Sequence, residues 1–138
     1  MATTKDKGDL AELRIASDLM RQGYKVAIPF GDNWDFDLIL YRDGFERVQV
    51  KYAQSDGEKV EVKAVSYSTN KGLTISAKQY TAAEIDWLAV YDVTTDECFY
   101  VPASELGDGM RMVTLRYKPA RNNQTKGIRW TKDYGSVA

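Results

Sequence analysis

The sequence contains no histidine and a single cysteine, Cys98. Without histidine there is no Ser-His-Asp or Cys-His nucleophile, no imidazole general base and no His-ligated zinc. A lone cysteine excludes an internal disulfide and a cysteine-cluster zinc site. Within the strand-like run Glu97-Cys98-Phe99-Tyr100-Val101 it reads as a small packing hydrophobe. Any catalysis must then run on carboxylates, lysine and a hard metal ion. No uncharged apolar stretch is long enough to span a membrane. The polar opening Met1–Lys7 lacks the apolar core of a signal peptide, which predicts a cytoplasmic protein.

Acidic residues are also missing from one place. The net charge of −1 hides 12 Lys/Arg against 19 Asp/Glu up to Met110, a balance of −7. From Arg111 to Lys132 there are seven basic residues and no acidic one. A carboxylate-rich body joined to a basic segment suggests a polyanion partner, whereas a solvated basic tail is the plainer reading. At 138 residues the chain is expected to form one domain, 1–138, with 111–138 as its basic segment.

A helix is predicted from Thr4 to Gln22, stopped by Gly23. At 100° per residue Leu13, Ile15, Ala16, Leu19 and Met20 form one apolar arc, and Glu12 falls inside it. A carboxylate aimed at a core is costly unless it is paired or serves a metal. Strands are expected at Tyr24–Ile28 and Phe36–Tyr41, then, after the turn Arg42-Asp43-Gly44, at Phe45–Tyr52. Lys59–Val65 alternates as a further strand, and Ser66–Lys78 reads as a polar, mobile loop. Thr81–Glu84 has the pattern of a capping box. Asp86–Tyr91 and Cys98–Val101 read as paired strands, Pro102–Leu106 as a short helix, and Met110–Leu115 as a last strand. One long helix with a mixed sheet of five or six strands is an α/β domain.

The chemistry gathers on the hairpin. Side chains alternate faces along a strand, so Gln49 and Lys51 point one way while Val48, Val50 and Tyr52 point the other. Asp37 on the first arm is expected to join Gln49 and Lys51 on one face, with Glu12 set over them from the helix. This set suits phosphodiester hydrolysis: Asp37, the carbonyl of Val50 and Glu12 would hold Mg²⁺, and Lys51 would orient or deprotonate water. The spacing D-x₁₁-Q-x-K alone is a weak signal, and an exposed Lys-Gln face is its bland alternative. Asp35 shares strand parity with Asp37 and is a rival ligand.

Several motifs carry a resemblance. Gly8-x₃-Glu12, Gly23-Tyr24-x-Val26, Pro29-Phe30-Gly31-Asp32-Asn33, Phe36-Asp37-Leu38-Ile39 and Val48-Gln49-Val50-Lys51 resemble the PD-(D/E)xK nuclease superfamily. Downstream, Glu84-Ile85-Asp86-x₂-Ala89-Val90-Tyr91, Val101-Pro102 and the stretch from Asn122 to Trp130 resemble its branch of group I intron-encoded homing endonucleases. The resemblance implies a restriction-endonuclease-like core and a metal-dependent endonuclease that cuts both DNA strands as a homo-oligomer, dimer or tetramer. It implies Mg²⁺, with Mn²⁺ as a substitute, and places catalytic roles on Glu12, Asp37, Gln49 and Lys51. Its Phe-Asp-Leu-Ile context favours Asp37 over Asp35. The chain departs from the superfamily pattern in having an amide at Gln49 and no proline before the aspartate.

Lys118, Arg121, Asn122, Asn123, Gln124, Lys126 and Arg129 offer phosphate and base-edge contacts to double-stranded DNA close together. Lys71 and Lys78, with Tyr67 and Asn70, mark a second candidate DNA-facing element. Trp130 and Tyr134 are expected to anchor the basic segment to the core. A junction resolvase or repair nuclease, a DNA-binding module without catalysis, and a structural domain remain as other readings.

Overall fold

The protein is described by a computed structural model covering residues 2–70, 73–122 and 126–138, with backbone alone at 67–70 and 74–76. Its one long helix, α1, spans Thr4–Arg21. Thr3 caps it: its hydroxyl accepts from the Asp6 amide at 3.1 Å, and the Asp6 carboxylate accepts from the Thr3 amide at 3.0 Å. Gly23, at φ +98°, ends it in a conformation that only glycine adopts freely. The helix buries Ala11, Ile15 and Leu19. Leu13 and Met20, expected in the core, are 69% and 63% exposed. Packing runs along one i, i+4, i+8 row, and a narrow helix-to-sheet contact buries that row and leaves its neighbours in solvent.

Strands β1 (Lys25–Ala27), β2 (Leu38–Tyr41), β3 (Phe45–Ala53), β7 (Trp87–Asp92) and β8 (Glu97–Pro102) form a five-stranded sheet in the order β1-β2-β3-β7-β8. Its centre, β3 beside β7, is parallel, and the other pairings are antiparallel. The β2–β3 turn uses Asp43 at φ +49° and Gly44, as the Asp-Gly pair predicts. One face of this sheet, with Leu38, Leu40, Val48, Val50 and Ala89, packs under α1. The other, with Leu88, Val90, Phe99 and Val101, packs on a second sheet through Val60, Val62, Val113 and Leu115.

That second sheet joins β4 (Lys59–Lys63), β9 (Met112–Arg116) and β10 (Arg129–Trp130) in the order β10-β9-β4. The basic segment is therefore tied down by β10, parallel to β9, and by a 3₁₀ turn at Thr131–Asp133. Tyr134, an expected anchor, packs on this core, and its carbonyl accepts from the Tyr100 amide at 2.8 Å along the edge of β8. Trp130 is partly buried. Cys98 is buried as expected, and burial pushes its thiol up to about 12, which makes it inert as a nucleophile.

The expected loop Ser66–Lys78 is instead an antiparallel ribbon of β5 (Val65–Asn70) and β6 (Leu73–Gln79), paired with no other strand among the described residues. Ser, Thr, Asn and Lys hid it, since the run 66–78 carries too little apolar alternation to read as strands. Pro102 precedes a 3₁₀ helix at Ala103–Leu106, the short helix expected there. No helix among the described residues is long and apolar enough to cross a membrane.

Candidate active site

The hairpin opens at its free end. Pairing of β2 with β3 starts at Leu38 opposite Val48, whereas β3 runs on to Ala53 beside β7. Asp37, predicted inside a strand, sits just before β2 begins. Its amide donates to the Val48 carbonyl at 2.9 Å, and its Oδ2 accepts the Val50 N–H at 2.9 Å. The carboxylate thus stands where a ladder partner would have been. A strand residue directs its N–H and C=O to the same edge, so the Val50 carbonyl also opens toward Asp37.

At this opening Asp37 acts electrostatically on both Glu12 and Lys51, Gln49 is tied to Tyr80, and the four predicted catalytic residues do not share a single sheet face. Val48 and Val50 pack under α1, so Gln49 and Lys51 project from the opposite side. Glu12 approaches from α1. Asp37 lies between them, and its charge acts on both Glu12 and Lys51. The alternation of side chains could not reveal this, because Asp37 turns into the plane of the sheet to meet Val50.

Electrostatics mark the site. Burial, then the Asp37 charge, raises the Glu12 carboxyl from 4.5 to about 7. Burial also raises Asp37, against the Val50 hydrogen bond and the Lys51 charge. Burial lowers Lys51, with Asp37 opposing. Lys51 Nζ donates to the Val65 carbonyl at 3.1 Å and lies 5.6 Å from the centre of the Tyr80 ring. Gln49 Nε2 donates to the Tyr80 hydroxyl at 2.9 Å, while Gln49 Oε1 is buried without a hydrogen-bond partner among the described residues.

A cleft of about 240 Å³ borders Glu12 and Asp37, lined also by Asp9, Asp32, Lys5 and Trp34. Between the lining residues Pro29 and Gly31, Phe30 is 98% exposed, in a loop held by a 2.7 Å hydrogen bond from Trp34 Nε1 to the Phe30 carbonyl. The Trp34 ring packs on Phe36, centroids 5.5 Å apart.

These donors fit a hard divalent cation: two crowded, desolvated carboxyls, a backbone carbonyl and a buried amide oxygen that lacks a partner. No group of three or more Asp, Glu, His or Cys at metal-binding geometry occurs among the described residues, in keeping with an amide at position 49. Asp35, the rival ligand, lies 3.3 Å from Lys78.

The predicted DNA contacts divide. Lys78, on β6, lies beside the site but faces Asp35 and, at 3.8 Å, Glu84. Lys118, Arg121, Asn122 and Lys126 are exposed around the turn after β9. Arg121 and Asn122 line a 500 Å³ cleft with Arg116, Lys59, Asp56 and Glu58. Arg129 is engaged elsewhere, 3.0 Å from Glu105. Lys71, Asn123 and Gln124 lie outside the described residues. Arg116 pairs with Lys59 at the end of β4 away from the site, about 13 Å of strand beyond Lys63.

Tyr80 was missed as a site residue. A sequence signal for its burial did exist: it precedes the capping residue Thr81, with Ile85 four positions beyond, the pattern of a hydrophobic staple. Tyr80 and Ile85 are 3% and 0% exposed. Of the expected capping box the Glu84 half is present, its carboxylate accepting from the Thr81 amide at 3.2 Å. The Thr81 hydroxyl donates to the same oxygen at 2.6 Å and accepts from the Ala83 amide instead of that of Glu84.

A capped helix over a mixed sheet, with an aspartate at the mouth of a central hairpin and Gln-x-Lys along its second arm, defines a PD-(D/E)XK nuclease-like domain. The chain belongs to the PD-(D/E)XK endonuclease family, whose sequence model matches residues 2–137. Among solved structures it is similar to a bacterial homing endonuclease, I-Ssp6803I, with a TM-score of 0.76 and 20% identity. The match covers 96% of this chain and 88% of that one, and at this identity the likeness is one of fold. Comparison with curated proteins gives no match. Membership supports an endonuclease, in a family that typically uses divalent metals.

Proposed function

We propose that the protein is a Mg²⁺-dependent endonuclease that makes site-specific double-strand breaks in DNA, with Glu12, Asp37, Gln49 and Lys51 as its catalytic set. The observation that carries this reading is the Asp37 carboxylate fixed on the Val50 amide at the hairpin mouth, acting on Glu12 and Lys51 at once. Asp37, Glu12, the Val50 carbonyl and Gln49 Oε1 would hold the cation. When bound, Mg²⁺, or Mn²⁺ in its place, polarises the phosphate and lowers the pKa of a bound water.

Lys51 is anchored by the Val65 carbonyl and the Tyr80 ring, so its ammonium is aimed before substrate arrives. Burial brings it nearer to releasing a proton, which lets it orient the attacking water and exchange a proton with it. Its charge also offsets the charge that develops on the phosphate. Glu12, at about 7, holds its proton in roughly half the molecules near neutral pH until a cation arrives.

The β5–β6 ribbon supports duplex reading, since the major groove admits a two-stranded β-ribbon and β5 starts at the Val65 carbonyl that holds Lys51. Lys118, Arg121, Asn122 and Lys126 supply a second contact region farther along the sheet. Asn123, Gln124 and Lys71 belong to the same proposal. Cutting two strands together needs two such sites, so the working form is a homo-oligomer, a dimer or a tetramer.

The test is cleavage of a large, sequence-diverse pool of linear DNA with Mg²⁺, with Lys51→Ala alongside. Discrete cuts that require Mg²⁺ and vanish in the variant support the proposal. Tight, salt-sensitive binding without cuts in any metal contradicts it and makes the protein a DNA-binding relative without catalysis.

A further inference from the structure

Gln49 poses a problem that a carboxylate would not. A carboxylate offers two equivalent oxygens, whereas an amide offers an oxygen on one side and two N–H donors on the other. Turned the wrong way, Gln49 would present hydrogens to a cation. Something must decide which end faces the site.

Tyr80 is placed to do so. Its hydroxyl accepts from Gln49 Nε2 at 2.9 Å, which leaves Oε1 as the buried acceptor without a partner. The ring is itself buried and its backbone tied down. It is 3% exposed, its amide donates to the Ala64 carbonyl at 3.1 Å, and it sits directly before the Thr81–Glu84 turn. The hydroxyl also meets the Ser66 side chain, so it has a second polar neighbour besides Gln49. The same ring lies under the Lys51 ammonium, so one residue braces both members of Gln-x-Lys.

We propose that Tyr80 is the positioning residue that makes Gln49 a metal ligand, by accepting from Nε2 and so holding Oε1 free for the cation. This rests on the active-site reading above. It explains why an amide can serve where an acidic residue would need no such partner. The selection is one of orientation alone: no bond is made or broken, and the ring stays where it is.

The consequence is a coupling between the two positions. Tyr80→Phe keeps the ring, its packing and its contact with Lys51, and removes the hydroxyl, with it the acceptor for Gln49 Nε2 and the contact with Ser66. With Gln49 in place, affinity for Mn²⁺ should fall about tenfold, the net worth of one hydrogen bond. In a Gln49→Glu background the two oxygens are equivalent, so Tyr80→Phe should change Mn²⁺ affinity by less than about threefold. The experiment is calorimetric titration of Mn²⁺ into the full chain for the wild type, both single variants and the double variant. Thermal melts of all four check the fold, and cleavage is followed in parallel. The larger loss confined to the Gln49 background supports the proposal. Unchanged Mn²⁺ affinity in Tyr80→Phe, or equal losses in both backgrounds, overturns it while leaving the nuclease reading intact. A wild-type protein that neither binds Mn²⁺ nor cuts DNA overturns the active-site reading and this proposal with it.

Discussion

The Asp37 carboxylate and the Val50 amide meet at 2.9 Å, in the place where β2 has stopped and β3 continues. One side chain thereby does two jobs: it completes the backbone pairing of β3 and presents its remaining oxygen lone pairs at the hairpin mouth. The arrangement ties catalytic geometry to strand geometry. Asp37→Asn should preserve the first role, because an amide oxygen also accepts from Val50, whereas Asp37→Ala strips β3 of a hydrogen-bond partner.

Glu12 makes the metal-free protein sensitive to pH. Its folded value of about 7 lies above the ordinary 4.5, so folding favours the protonated form. The stability this provides is fully present below about 4.5 and is lost as pH rises through about 7. Glu12→Gln should therefore match the wild type near pH 4 and melt higher at pH 8, by about 4 °C for each 1 kcal/mol in a domain of this size. Melting in chelator across that pH range measures it. A difference that shrinks as pH rises would contradict the burial of Glu12.

Asp92 is a structural carboxylate of the opposite kind. It is 0% exposed and accepts from Ser55 N and Oγ, Thr94 N, Thr95 Oγ1 and Tyr117 Oη, at 2.6–3.1 Å. Burial pushes its pKa up, but these hydrogen bonds outweigh burial and hold it below the usual carboxylate value. Its contribution is present above about pH 4 and is lost on acidification. Asp92→Ala should cost about 3 kcal/mol or more, read as a lower urea midpoint at pH 7, because it leaves buried donors unpaired.

Phe30 should matter to DNA and not to folding. A ring 98% exposed contributes almost nothing to the core, so Phe30→Ala should leave the melting temperature unchanged. Its neighbours Pro29 and Gly31 line the cleft that borders Asp37, and under the proposed function the exposed ring is free to meet DNA there. Its loss should weaken DNA binding by about tenfold, at the low end for a base-stacking aromatic. Fluorescence anisotropy with a labelled duplex checks this.

Arg121 and Arg129 should separate in a salt titration. Removing the Arg121 and Lys126 charges together should lower affinity and reduce the slope of log K against log salt by about two. Arg129→Ala should leave that slope nearly unchanged and lower stability instead, because its partner is Glu105 at 3.0 Å. Binding measured at several salt concentrations distinguishes the two roles.

Residue patterning makes part of the site legible and hides the rest. Alternation along Phe45–Tyr52, an Asp-Gly turn and a carboxylate inside the apolar arc of α1 are local signals, and they point to Asp37, Lys51 and Glu12. The ribbon of β5 and β6 was not legible, because its polar sequence carries no period-2 apolar pattern. Nor was the division of the site between two sheet faces, which depends on where β2 stops pairing. Tyr80 shows its burial through the staple with Ile85, but its contact with Gln49 spans 31 residues and only folding creates it. The same holds for Arg129, whose partner Glu105 lies 24 residues away.

The most direct test of the account is Asp37→Asn, assayed on the DNA site that the wild type cuts. Cleavage should fall by at least about a thousandfold, with duplex binding and melting temperature close to wild type. Cleavage at the normal rate, with Asp35→Asn the inactive variant instead, would show that the hairpin mouth is not the catalytic centre described above.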